Sequence, residues 1–186
     1  SIFSRIGVGS LRIVDGDVFE TTNLNRQLYS APSVLGCYKA ETAAVRIQHI
    51  NPDIHITCHT VFLTADNADI LIDGCDIVLD GLDSISARKL LKQACTRNSI
   101  PYVFGAISGW VVQVAISMPD DNLIDIIYPE KTQIQDKSAL SFTAAFCASM
   151  QTALCIKLLI ERPVETGTIF YFDLLNQEYE VVPIVT

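Results

Sequence analysis

The sequence predicts an α/β protein with a doubly wound, mostly parallel sheet and antiparallel strands near the carboxyl terminus. Short apolar runs alternate with longer segments whose apolar side chains recur every three or four residues. This alternation gives a parallel sheet with helices on both faces. Apolar residues make up 49% of the 186 residues, which is enough for a buried core. The length fits one domain over residues 1–186.

The first part of the chain reads as helix, strand, helix, strand. The residues before Gly7 look like the last turns of a helix, and Gly7 suits the left-handed cap that ends one. A buried strand is predicted for 11–14 and an alternating strand for 54–58. Between them, alanines and isoleucines at helical spacing predict a helix over 39–50, and the Asn-Pro pair at 51–52 stops it.

The second part repeats the pattern and then changes to antiparallel strands. Ser84 should cap a helix that ends near Asn98, and the apolar run before it is typical of a strand covered on both faces. The stretch 119–138 is polar and acidic, so we expect a loop-rich excursion. The other predicted elements are a short helix at 66–73, strands at 77–80, 102–104 and 111–117, an apolar helix at 143–159, and closing strands at 168–172 and 179–183.

Two carboxylates and several phosphate donors follow the first strand. Asp15 and Asp17 come directly after it, at the point where nucleotide-binding sheets hold a ribose hydroxyl. The loop that follows supplies Asn23, Arg26 and Gln27, whose side chains suit phosphate oxygens. These residue types in this order indicate a nucleotide-binding site. For Asp17 a second interpretation stays open, because its side chain can instead organise the loop through bonds to the backbone.

Charged side chains further along suit phosphate and metal. Lys39 lies at a helix start, where a cation opposes the helix dipole unless an anion is near; the alternative is a solvated lysine. Asp83 follows a strand and offers the hard oxygen that Mg²⁺ prefers, while Ser84 can cap the next helix in its place. Asp80 is a candidate for a residue that contacts Asp83 or its ligands without binding the metal itself. Arg88 would either face the same site or make a surface ion pair.

These motifs, in this order, resemble the ThiF/MoeB/HesA family, adenylating enzymes related to the ubiquitin-activating enzymes. The matching runs are 12–17 with 22–27, 36–41, 51–52, 80–84 with Arg88, and 149–157. The resemblance implies a Rossmann-like fold and the use of ATP and Mg²⁺. It also implies adenylation of the C-terminal glycine of a small ubiquitin-like sulfur-carrier protein, of the thiamine or molybdopterin type.

The resemblance assigns roles to single residues. It implies that Asp15 holds the ribose, that Asn23, Arg26 and Lys39 hold the phosphates, and that Asp83 binds Mg²⁺ and is essential. Arg26, Lys39 and Asp83 are thereby the expected catalytic residues. The expected nucleotide-binding positions are Asp15, Asp17, Asn23, Arg26, Gln27, Lys39, Asp83 and Ser84. The family is commonly dimeric, which implies a homodimer.

One expected motif is not seen. A nucleotide-binding half begins with a strand and a Gly-x-Gly-x-x-Gly turn, whereas the sequence begins within the helix that would follow that turn. We therefore expect this strand and its glycine loop to be absent from the chain. Two alternatives stay open: a catalytically inactive ThiF-like subunit of an activating-enzyme complex, and an NAD-dependent oxidoreductase, which has little use for Arg26, Lys39 and Asp83.

Charge and hydropathy bear on partners. The net charge of -8 argues against a nucleic-acid partner, because no basic stripe is available to neutralise phosphates. From the sequence we expect no apolar run of membrane-spanning length, and residues 1–5 are not typical of a signal peptide. We therefore expect no membrane partner and a cytoplasmic protein.

The six cysteines are scattered and form no C-x-x-C pair. The sequence therefore predicts no zinc site, no disulfide framework and mostly buried thiols. Cys147 falls inside the last helix, where burial makes a thiol poorly reactive, so we expect adenylation without a thioester on this chain. In the same helix Leu154 stands where members of the family often carry glutamate, which suits an interface.

Overall fold

The computed structural model of the chain describes residues 2–130, 132 and 138–184. These residues form two compact units, Ser1–Leu63 and Thr64–Thr186. Strands pair in parallel in both units, and antiparallel strands follow toward the carboxyl terminus. The predicted α/β class with antiparallel closing strands is confirmed.

The first unit contains a two-stranded parallel sheet and two helices. Its elements are α1 (Ile2–Ile6), β1 (Ser10–Val14), α2 (Lys39–Ile50) and β2 (His55–His59). Gly7 has φ +81°, as expected for a left-handed cap after α1. The strand β1 forms, but the expectation that it is buried is wrong: its residues alternate between exposed and half-buried. Among the described residues it pairs with β2 alone, so it is an edge strand.

The second unit is built on a five-stranded sheet in the order β3-β4-β5-β6-β7. The strands β3 and β4 are parallel, and each later pair is antiparallel. Its elements are α3 (Ala68–Ile72), β3 (Val78–Leu79), α4 (Ile85–Arg97), β4 (Tyr102–Ser108), β5 (Val111–Ser117), α5 (Leu123–Ile127), α6 (Ser141–Leu159), β6 (Thr168–Asp173) and β7 (Glu178–Pro183).

The core of this unit lies where α6 covers β4 and β5. Tyr102, Val103 and Phe104 of β4 are completely buried, as are Val112 and Val114 of β5. Aliphatic and aromatic side chains favour central strands of this kind, whose two faces are covered.

The long helix α6 corrects two expectations: that no apolar run is long enough to span a membrane, and that Leu154 belongs to an interface. Its 19 residues and mean hydropathy of 1.4 make it long and apolar enough, by length and composition, to cross a membrane. In the structure it packs on β4 and β5, and a core helix of this kind has the same composition. Leu154 does not lie on an outward face, because only 5% of it is exposed.

The helix α5 interrupts the stretch that the sequence predicts as a loop. Asp121 accepts hydrogen bonds from the backbone N–H groups of Met118 (2.6 Å) and Leu123 (3.2 Å), which tightens the chain just before the helix begins. Leu123 and Ile124 are then buried, and this burial stabilises the turn. Residues 131 and 133–137 of the predicted loop lie outside the described residues.

Candidate functional site

In the first unit, the residues after β1 form an acidic turn that holds Lys39. The backbone N–H of Asp17 donates to Oδ1 of Asp15 at 2.9 Å, and Nζ of Lys39 donates to Oδ2 of Asp17 at 2.9 Å. The backbone N–H of Lys39 also donates to the carbonyl of Asp17 at 2.9 Å. Asp17 is therefore the anion that a lysine at this helix start requires. Its carboxylate bonds the Lys39 ammonium, and the side chain that bonds the backbone of this turn is that of Asp15.

The loop that follows is ordered largely by its own side chains. Oδ1 of Asn23 accepts from the backbone N–H of Glu20 at 3.0 Å, and Asn23 is buried. Nη1 of Arg26 donates to the carbonyl of Thr22 at 2.9 Å and to Oδ1 of Asn25 at 3.0 Å. One edge of the Arg26 guanidinium is thus engaged by the loop. The backbone N–H of Gln27 donates to the Asn23 carbonyl at 3.0 Å.

In the second unit, Asp83 stands just before helix α4. Oγ of Ser84 accepts from the backbone N–H of Ala87 at 3.2 Å, so Ser84 is the N-cap, as predicted. Asp83 is exposed and is not needed as the cap. Its carboxylate is of the kind that binds Mg²⁺ together with water and phosphate oxygens. Among the described residues no group of three or more His, Cys, Asp or Glu side chains is placed to hold a metal ion.

Behind Asp83, Asp80 and Arg88 form a buried ion pair. Their side chains are 0% and 6% exposed, so the alternative of a surface pair for Arg88 is wrong. Nη1 of Arg88 donates to Oδ2 of Asp80 and to the carbonyl of Gly105, the latter at 2.7 Å. The remaining contacts go to the next loop: Nη2 of Arg88 donates to the Leu82 carbonyl, and the Leu82 N–H donates to Oδ1 of Asp80 at 2.8 Å.

Burial dominates the electrostatics of this pair. Loss of water raises the pKa of the Asp80 carboxyl, and the neighbouring Arg88 guanidinium opposes that rise. Burial also raises the pKa of Tyr102, and the nearby Asp80 carboxyl raises it further. The Arg88 guanidinium lies 5.1 Å from the centre of the Phe104 ring, a cation–π contact.

Gln151 is a structural residue of this region that sequence reasoning did not single out. Nε2 of Gln151 donates to the backbone carbonyls of Asp80 (2.8 Å) and Val103 (3.1 Å), tying α6 to the ends of two strands. A Cβ on Gly105 would overlap the terminal amide of Gln151, so a side chain there would push that amide away from its two carbonyl partners. The available signal was a glutamine in the middle of an otherwise apolar helix, which needs buried partners.

The structure thus brings the predicted site residues together in two groups. Asp15, Asp17 and Lys39 form one cluster within Ser1–Leu63, next in sequence to the loop of Asn23, Arg26 and Gln27. Asp83 and Ser84, with the Asp80–Arg88 pair behind them, belong to Thr64–Thr186. The assignment of these residues to ribose, phosphate and Mg²⁺ stays a prediction.

The cysteines follow the sequence expectation in part. All six are free thiols. Cys147 is buried, and burial raises the pKa of its thiol to about 12, which suppresses the thiolate. Cys37 and Cys58 are exposed, contrary to the expectation of buried thiols. Both are in the first unit, where few strands are available to cover side chains.

The sequence matches one family over its whole length. The family described as ThiF matches residues 1–186. The SAMP-activating enzyme E1 of Haloferax volcanii is 30% identical over 187 residues, covering 97% of this chain and 69% of that protein. The adenylyltransferase and sulfurtransferase MOCS3 of Drosophila grimshawi is 41% identical over 176 residues, covering 90% of this chain and 39% of that protein. The chain therefore spans well under half of MOCS3.

Solved structures share the fold at low sequence identity. The crystal structure of PaaA superposes with a TM-score of 0.81 at 17% identity, covering 99% of this chain and 67% of that one. The crystal structure of Escherichia coli MccB with ATP gives a TM-score of 0.79 at 16% identity, covering 98% and 58%. At such identities the likeness shows the Rossmann-type fold and nothing finer.

Proposed function

Because the chain belongs to the ThiF family, we propose that it adenylates the C-terminal glycine of a small ubiquitin-like sulfur-carrier protein. Two of its relatives are named for related roles, a SAMP-activating E1 and an adenylyltransferase. The observation that carries the proposal is the placement of Asp83. Its exposed carboxylate follows a strand end and precedes the helix that Ser84 caps, so it is available to a metal–nucleotide complex.

The proposed reaction needs positioning and charge more than proton transfer. A carboxylate oxygen of the carrier's terminal glycine forms a bond to the α-phosphorus of ATP. The bond from that phosphorus to the oxygen bridging the α- and β-phosphates breaks, and pyrophosphate leaves with the electron pair. The carboxylate is already ionised near pH 7, so no general base is required. Orientation and stabilisation of phosphate charge supply the rate enhancement.

The residues present fit a nucleotide with Mg²⁺. Asp15 would hold the ribose, and Asn23, Arg26, Gln27 and Lys39 would hold the phosphates. Asp17 holds the Lys39 ammonium in place. The Arg26 guanidinium contacts the loop through Nη1, and its other edge would face the phosphate oxygens. Asp83, with Ser84 beside it, would hold the Mg²⁺, which neutralises phosphate charge when bound.

We further propose that residues 1–186 act as one adenylation domain in a cytoplasmic homodimer. The homodimer is what the resemblance to the family implies, and exposed apolar side chains of the first unit that a partner could cover include Leu28 (76% exposed), Phe62 (66%) and Val45 (56%). Light scattering on the purified protein should give twice the subunit mass. A thiamine-type or molybdopterin-type carrier is the expected partner, and parallel assays with both decide between them.

A second candidate substrate is tRNA that carries threonylcarbamoyladenosine. The tRNA threonylcarbamoyladenosine dehydratase of Escherichia coli is 35% identical over 119 residues, covering 63% of this chain and 44% of that protein. The net charge of -8 argues against this candidate, because tRNA binding draws on basic surface. ATP consumption that requires modified tRNA rather than a carrier would favour it.

The proposal is tested by carrier-dependent exchange of labelled pyrophosphate into ATP in the full-length protein. Exchange that requires the carrier's terminal glycine supports adenylation. Tight ATP or carrier binding without exchange would instead favour the catalytically inactive subunit. Binding of NAD in preference to ATP would favour the oxidoreductase.

A further inference from the structure

The buried Asp80–Arg88 pair is poorly explained by stability alone. Both side chains are almost fully buried, at 0% and 6% exposure. Removing two charges from water costs about as much as their attraction returns, and apolar replacements of such pairs are often neutral or stabilising. In some proteins a buried ion pair fixes a specific geometry, and the hydrogen bonds of this pair show which part of the backbone it contacts.

The pair holds Leu82 on both sides. Oδ1 of Asp80 accepts from the Leu82 N–H at 2.8 Å, and Nη2 of Arg88 donates to the Leu82 carbonyl. That carbonyl belongs to the planar peptide that leads into Asp83. Fixing its oxygen fixes the plane, and with it the backbone nitrogen and Cα of Asp83. On the other side, Ser84 is fixed as the cap of α4.

A planar guanidinium is required for these simultaneous contacts. Arg88 reaches the Asp80 carboxylate, the Gly105 carbonyl and the Leu82 carbonyl from its two terminal nitrogens. A lysine has one nitrogen on a flexible stem and cannot present the same fork. Its charge would satisfy Asp80 without holding the Leu82 peptide.

We infer that Arg88 is a positioning residue that, through the Leu82 carbonyl, sets the orientation of the Asp83 carboxylate toward the metal–nucleotide complex. This inference rests on the proposed function for its catalytic consequence. Its structural part, the restraint on Leu82, can be tested without any activity.

The test compares Arg88→Lys with a matched control on the same helix. Lys92 lies one turn further along α4, is equally buried, and pairs with Asp121 at 3.5 Å while donating to the Met118 carbonyl. Lys92→Met therefore removes a buried cation of α4 without touching Leu82. The double variant Asp80→Leu with Arg88→Met guards against a loss of stability in Arg88→Lys, since an apolar pair restores packing without the restraint.

Two quantities are measured in the full-length protein. The first is the hydrogen–deuterium exchange rate of the Leu82 amide, which should rise at least roughly tenfold in Arg88→Lys, where Asp80 is retained, and stay at the wild-type value in Lys92→Met. The double variant also removes the Asp80 acceptor of this amide, so it is compared only in the second measurement. The second is the Mg²⁺ dependence of pyrophosphate exchange. Loss of a supporting contact behind a metal ligand costs about 10–100-fold in metal affinity or activity, so the half-maximal Mg²⁺ concentration or the rate should change by that factor.

The outcomes separate the inference from the proposed function. Leu82 exchange and Mg²⁺ dependence equal to those of Lys92→Met would overturn the inference. An increase in Leu82 exchange with an unchanged Mg²⁺ dependence and rate would overturn its catalytic part. A wild-type protein that exchanges no pyrophosphate with any carrier would reject the proposed function, and the Leu82 amide would still decide whether Arg88 restrains the loop.

Discussion

Nζ of Lys39 lies 2.9 Å from Oδ2 of Asp17, and the backbone N–H of Lys39 donates to the Asp17 carbonyl. The lysine side chain is 15% exposed and the aspartate 54%. The cation at the start of α2 is therefore anchored at both its backbone and its ammonium. An ammonium held in place near a strand end is already positioned for an anionic ligand, which reduces the entropy lost on binding.

Replacing Lys39 should weaken nucleotide binding more than replacing its partner. A charged hydrogen bond is worth about 1.5–3 kcal/mol, so Lys39→Ala should raise the Kd for ATP roughly 10–100-fold. Asp17→Asn removes an ion pair worth about 0–1 kcal/mol and should change the Kd by no more than about fivefold. Calorimetric titration of ATP measures both.

The control for this comparison is Lys89→Ala. Lys89 also makes an ion pair, with Asp125 at 2.8 Å, but it lies on α4 in the second unit and has no proposed role. Its Kd for ATP should equal the wild-type value. Equal Kd values for Lys39→Ala and Lys89→Ala would show that Lys39 does not contact the phosphates.

Replacing Asp83 should lower the activity and leave the stability unchanged, whereas replacing Ser84 should lower the stability. Asp83→Ala removes the proposed Mg²⁺ ligand and should lower pyrophosphate exchange by roughly a hundredfold or more, with the unfolding free energy unchanged because the side chain is exposed. Ser84→Ala removes the N-cap and should lower the unfolding free energy by about 1 kcal/mol. Urea unfolding and the exchange assay are run on the same samples. Full activity of Asp83→Ala would remove Asp83 from the site.

A side chain at Gly105 should destabilise the protein while Gln151 is present. A Cβ at this position would overlap the terminal amide of Gln151, so Gly105→Ala should cost about 1–3 kcal/mol of unfolding free energy by overpacking. Adding Gln151→Ala relieves the clash but loses the bonds to the Asp80 and Val103 carbonyls. The two changes should therefore be non-additive in a double-mutant cycle. Additive losses would contradict the packing described.

Cysteine reactivity should follow burial. Cys37 and Cys58 should react with iodoacetamide in the native protein at pH 8, whereas Cys147 should stay unmodified, because burial raises its pKa to about 12. The same shift makes the unfolding free energy depend on pH. Above the ordinary thiol pKa of 9.0 the unfolded chain loses this proton first, so the unfolding free energy falls as the pH rises from 9 toward 12. Cys147→Ala should keep carrier-dependent exchange. Covalent attachment of the carrier to the wild-type protein that disappears in Cys147→Ala would indicate a thioester.

Elements with a clear local pattern could be predicted from the sequence. The helix α2 (Lys39–Ile50) and the strand β5 (Val111–Ser117) have the predicted bounds, because helical spacing, the Asn-Pro stop and alternation are encoded within each segment. Ser84 as N-cap was predictable for the same reason, since its partner Ala87 is three residues away.

Contacts between distant residues could not be predicted in this way. Asp17 and Lys39 are 22 residues apart, and Gln151 bonds a carbonyl 71 residues away. Such partners depend on the path of the chain, which local periodicity does not specify. The helix α5 was missed because Asp121 stabilises its start through bonds to Met118 and Leu123 in an otherwise polar stretch. The interior position of the Asp80–Arg88 pair likewise depends on α6 covering β4.

The most direct test of the central claim is pyrophosphate exchange by the full-length protein with purified ubiquitin-like carriers. With the matching carrier, exchange should exceed the carrier-free rate, should require Mg²⁺, and should vanish when the carrier's terminal glycine is deleted. Asp83→Ala should reduce it to the carrier-free rate. Exchange that never rises above that rate, with any thiamine-type or molybdopterin-type carrier and Mg²⁺ present, would contradict adenylation by this protein.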